Sequence, residues 1–104
     1  MRRRAHEVLA MLIAAPPDEN DILCDRGTCY AGNVRIARAT VDELLCHLAI
    51  TRDGEEIGDR YVVNSTGRAI HRRPALAPEI MKVMGQQLPF RIDADDQIKI
   101  LEDL

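Results

Sequence analysis

The chain has 104 residues, of which 46% are hydrophobic, 30% charged and only 3% aromatic. That length fits one domain, and the apolar fraction excludes disorder throughout. No apolar run approaches the roughly 20 residues needed to span a bilayer, and a net charge of −3 excludes a strongly basic nucleic-acid coat. Cys24, Cys29 and Cys46 are odd in number and lack CxxC spacing, so buried reduced thiols are expected rather than a disulfide framework. A reducing, cytoplasmic setting follows from that expectation. Arg2 to Arg4 before a short apolar stretch resemble a secretory leader, but Pro16-Pro17 and acids follow without a small-residue cleavage pattern.

Residues 2–15 place Val8, Leu9, Leu12 and Ile13 on one stripe, which predicts an amphipathic helix stopped by Pro16-Pro17. From Ile22 to Ile36 the texture changes. Asp25-Arg26-Gly27 reads as a turn between Ile22–Cys24 and Thr28–Tyr30, and Gly32 with Asn33 opposes helix, so an irregular hairpin is expected. Thr40-Val41-Asp42-Glu43 has the spacing of a capping box. Behind it Val41, Leu44, Leu45, Leu48 and Ala49 predict a helix over 40–49. Residues 50–52 and 60–64 read as two strands joined by a polar loop at 53–59.

Ser65 or Thr66 is expected to cap a short helix through Arg73, which Pro74 ends. Pro78 sits near the start of a further helix bearing Ile80, Met81, Val83 and Met84, with Gly85 as its stop. After a short extended piece at Leu88–Ile92, Asp93 is expected to cap a last helix carrying Ile98, Leu101 and Leu104.

The string VRIARATVDELLCHLAITRDGEEIGDRYVVNSTGRAIHRR at 34–73 runs from a capped helix through an isoleucine-ended turn and a charged loop to Tyr-Val-Val-Asn and a Thr-Gly-Arg-Ala helix. That succession resembles the winged helix-turn-helix superfamily, closely over 34–73 and loosely over 2–73. The resemblance implies an α+β fold: a winged-helix-like core over 1–74, with small β-hairpins and an added C-terminal helical extension at 75–104 in the same compact domain. It also implies that helix 40–49 stands where a recognition helix enters a major groove, with 53–59 as the wing. Two departures are visible. Residues 28–36 look like strand where a helix should precede the recognition helix. The wing carries Asp53, Glu55, Glu56 and Asp59 without a base, where phosphate contact normally uses Lys and Arg.

Basic residues gather elsewhere. Arg60, Arg68, Arg72 and Arg73 lie in a stretch with His71 and no acid, and Arg35 and Arg38 precede the capped helix. These six arginines are the candidate DNA contacts, against the simpler reading that they pair with nearby acids on a solvated surface. Residues 92–104 hold five acids and one lysine, an acidic tail suited to a twin subunit or a basic partner.

Cys24 and Cys29, or Cys46 with His47, are not spaced as matched tetrahedral pairs, so no metal is expected. No GxSxG, HExxH or phosphate-loop motif occurs, so neither an enzyme nor a cofactor is expected. Two functions remain. One is a small DNA-binding transcriptional regulator acting as a homodimer through 75–104. The other is a winged-helix interaction module that binds no DNA, such as a small phage or mobile-element inhibitor or adaptor meeting a basic protein partner.

Overall fold

A computed structural model describes residues 1–53 and 59–101. The tip of the expected wing, with Glu55 and Glu56, and Leu104 lie outside the described residues. The fold is α+β. Its elements run α1 (Arg3–Ala14), β1 (Asp21–Asp25), β2 (Thr28–Ala31), β3 (Val34–Ile36), α2 (Arg38–Cys46), β4 (Ile50–Arg52), β5 (Asp59–Val63), α3 (Ser65–Arg72), α4 (Leu76–Gly85), β6 (Phe90–Ile92) and β7 (Ile98–Ile100). Five strands form one antiparallel sheet in the order β3-β2-β1-β5-β4, and among the described strands β6 pairs only with β7.

Local chemistry sets the meander β1-β2-β3. Arg26 and Gly27 both take positive φ, 51° and 83°, which is the mirror-image two-residue turn whose twist suits a hairpin. Gly32, with φ 58°, occupies the first central position of the next two-residue turn. The expected single hairpin over 22–36 is therefore three strands. Inward positions alternate as period two demands: Ile22 and Cys24 on β1, Cys29 and Ala31 on β2. The first turn brings Cys24 directly opposite Cys29, Cα to Cα 4.0 Å, and the two are joined as a disulfide. This corrects the expectation of three reduced thiols; Cys46 alone is free, and it is exposed.

The helix expected over 40–49 starts and ends earlier. Ala37 is its N-cap without any side-chain cap bond, so Thr40 lies inside the first turn, buried, and the capping box does not form. Glu43 instead accepts the backbone N–H of Arg2 at the start of α1. At the other end Leu48 takes a left-handed φ of 59°. Its N–H donates to Leu45 O at 3.0 Å, and the Ala49 N–H donates to Leu44 O at 2.9 Å. These are the paired bonds of a Schellman stop. They turn Leu48 outward and leave Leu45 half-buried, while Val41 and Leu44 reach the core.

Asn64, rather than Ser65 or Thr66, caps α3: its side-chain oxygen accepts from Gly67 N–H at 2.9 Å. The same carboxamide donates to Leu48 O and to Thr51 Oγ1, each at 2.8 Å, so one side chain ties α2, β4 and α3 together. α4 ends at Gly85, as expected, but the left-handed residue beyond it is Gln87, two positions later.

The core cluster joins Val8, Leu9 and Leu12 of α1 with Ile22, Ile36, Leu44, Tyr61 and Ile70, and extends to Leu76, Ala77 and Ile80 of α4. The helix expected after Asp93 is a hairpin. Phe90, Ile92, Ile98 and Ile100 alternate toward α4. The Asp93 carboxylate accepts the N–H of Asp95 and Gln97, folding the loop back on itself instead of opening a helix. Among the described residues the C-terminal extension is thus one helix and one hairpin rather than a set of helices. No helix among the described residues is long and apolar enough to cross a membrane.

Candidate interaction surface

The six candidate arginines occupy different settings. Arg38, the first residue of α2, donates to Asp42 at 3.1 Å; the Tyr61 side chain, and then Asp42, favour its charged form. Arg60 on β5 binds the carboxylates of Asp21 and Asp53, the latter at 3.0 Å. Arg72 grips Asp96 through two bonds of 2.8 and 2.7 Å, the fork-to-fork geometry that makes arginine–carboxylate pairs strong and directional. Arg73 donates to Asp96 O at 3.0 Å and binds Glu79 through both terminal nitrogens, the first at 3.1 Å.

Two of the six stay open. The guanidinium groups of Arg35 on β3 and Arg68 on α3 make no hydrogen bond or ion pair with another described residue. Arg35 stands opposite Tyr30 on the solvent face of the sheet. Arg68 lines a crevice of about 260 Å³ with Leu12, Ile13, Asn20, Val62 and Val63. Acids from β1, α2, α4 and the 93–97 turn, with Asp53, thus engage the other four.

Carboxylates answer in kind. Arg72 holds Asp96 below its ordinary value, and Arg73 does the same to Glu79. Asp93 is also lowered, chiefly by the backbone N–H of Gln97. Arg72 and Arg73 therefore act as a clasp between α3 and the C-terminal unit.

The exposed apolar pair on the outer sheet face and the groove beside β7 are what sequence reasoning missed. Leu23 and Tyr30 are a directly opposed cross-strand pair on the outer face of the sheet, 55% and 44% exposed. In the C-terminal part, Met81, Met84, Leu88, Ile100 and Leu101 are all exposed. Between α4 and β7 runs an open groove of about 390 Å³, whose apolar lining is Val83, Leu88, Ile98 and Ile100. The signal for it was the alternation Phe90-x-Ile92 and Ile98-x-Ile100, which marks strands whose apolar face needs cover.

Among the described residues no three His, Cys, Asp or Glu side chains converge as a metal site. No family model, curated protein or solved structure matches this chain.

Proposed function

We propose that the chain is a protein-interaction module on a winged-helix-like core, working without duplex DNA. One observation carries this reading. Of the six arginines on which phosphate contact would rest, Arg38, Arg60, Arg72 and Arg73 are bound to carboxylates of the same chain. A phosphate would have to displace a carboxylate at each, and the displaced acid would then repel it. The winged-helix likeness is supported by the strand order β1-β5-β4, by α2 leading directly into β4, and by α3 after β5. Its departure is that β2 and β3 occupy the stretch where a helix should precede the recognition helix.

A second reading, a homodimeric DNA-binding regulator, is favoured by the open guanidinium groups of Arg35 and Arg68. Fluorescence anisotropy of a labelled random-sequence duplex at about 50 mM salt separates the two. The interaction module gives no saturable binding. Binding that weakens steeply with added salt and is lost in the Arg35→Ala, Arg68→Ala double variant would establish the regulator instead.

A further inference from the structure

We propose that the free edge of β7 receives an extended segment of a partner protein in which apolar residues alternate with Asp or Glu. The inference rests on the interaction-module reading and names its surface. It begins with the ladder. Asp93 N–H donates to Gln97 O and Leu101 N–H donates to Pro89 O, both at 2.9 Å. Antiparallel pairs alternate between bonded and non-bonded, so Arg91 and Lys99 between them form the bonded pair. Ile98 and Ile100 are then non-bonded positions, and their N–H and C=O groups point away from β6. Four backbone groups stand at an edge that pairs with no other described strand.

The two faces beside that edge specify the side chains. On one face lies the groove between α4 and β7, with Val83, Leu88, Ile98 and Ile100 as its apolar surface. A strand added to β7 would set every second side chain over it. On the other face Lys99 stands directly opposite Arg91. Like charges directly opposed across a ladder are unfavourable. Among the described residues the nearest carboxylate, Asp93, is 3.9 Å from Lys99 and already accepts two backbone N–H groups. An acidic side chain on an added strand would lie beside Lys99 and offset the repulsion.

A second copy of the chain fits less well, since antiparallel pairing of two β7 edges about Lys99 sets one ammonium against the other. The edge is also held ready. Asp96 in the β6–β7 turn is gripped by Arg72 and Arg73, and Arg73 also holds Glu79 of α4.

The test is selection from a displayed random-peptide library on the full chain, with light scattering of the chain alone. The expected result is enrichment of sequences with Asp or Glu between two apolar residues. Binding should weaken at least tenfold in Ile100→Pro, which deletes one outward N–H at an edge position where proline is tolerated. Lys99→Glu, which gives Arg91 an opposite charge and so keeps the hairpin, should turn the preference from acidic to basic residues. No enrichment, an enriched motif without acids, or a motif unchanged by Lys99→Glu overturns the proposal. So does a dimer of the full chain that Ile100→Pro dissociates, which would assign the edge to a second copy. Peptides that bind wild type and Ile100→Pro equally would leave the interaction module standing and remove only this edge, whereas duplex DNA binding would remove the module reading itself.

Discussion

Gly67 and Ala49 meet so closely that a Cβ on Gly67 would lie 2.2 Å from the Ala49 carbonyl oxygen and 2.9 Å from Val63 Cγ1. The same carbonyl accepts the Asn64 N–H at 3.2 Å, so it cannot retreat without breaking the entry to α3. Helix propensity alone would make Gly67→Ala stabilising by up to about 1 kcal/mol. The contact reverses the sign: Gly67→Ala is expected to destabilise by about 1–3 kcal/mol. Urea midpoints of the two proteins check this, and a higher midpoint for the variant contradicts the packing of α3 on the α2–β4 connection.

Leu48 illustrates the opposite case. It holds a left-handed backbone conformation at the end of α2 with its side chain 41% exposed. The conformation costs a non-glycine residue roughly 1–2 kcal/mol, and little burial is lost on truncation. Leu48→Gly should therefore raise stability by about 0.5–1 kcal/mol after the greater freedom of glycine in the unfolded chain is counted. Thermal denaturation gives the comparison directly; a lower melting temperature would mean that Leu48 packs more than its exposure implies.

The clasp between α3 and the C-terminal unit sets an acid limb. Asp96 and Glu79 titrate below their ordinary values of 3.8 and 4.5 because Arg72 and Arg73 bind their charged forms. Protons thus bind the unfolded chain first. The contribution to stability is full above those ordinary values and is lost as pH falls through the folded ones. Asp96→Asn should lower the melting temperature at neutral pH and flatten its fall in acid. Parallel acid limbs in the two proteins would show that the pair contributes nothing.

Closing a short loop, the Cys24–Cys29 bond limits the unfolded chain only modestly. Its sequence separation of 5 corresponds to a loop-closure contribution of about 2 kcal/mol. Cys24→Ala with Cys29→Ala should lose about that much, together with a small packing term from two buried sulfurs. Calorimetry with and without reductant separates the two, since reductant should shift the wild type toward the double variant and leave the variant unmoved.

What the sequence disclosed was local. Arg26-Gly27 and Gly32-Asn33 announce their turns, and Pro16-Pro17 ends α1 by covalent geometry. The midpoint of the first turn already pairs position 24 with position 29, a register that cysteine counting by spacing overlooked. Competition across the fold stayed hidden. Thr40 and Glu43 have the spacing of a capping box, yet Glu43 is taken by the backbone of Arg2. Ile98, Leu101 and Leu104 have helical spacing, yet Asp93 folds the preceding turn. The candidate arginines were visible as charges, but their partners were not. Asp96 lies 24 residues beyond Arg72, and only the packing of α4 and the β6–β7 hairpin brings them together.

The pairing of β1 with β5 joins segments roughly forty residues apart, Ile22 to Tyr61, while every other strand pair joins neighbours in the chain. The meander β1-β2-β3 and the β4–β5 hairpin each close short loops, so each forms with little loss of chain entropy. Docking of one on the other closes the long loop and buries Ile22 and Tyr61. Folding speed is therefore expected to be set at that seam: weakening Ile22 or Tyr61 should slow the search for the native state, whereas changes in the α4 and β6–β7 unit should mainly alter how long that state lasts.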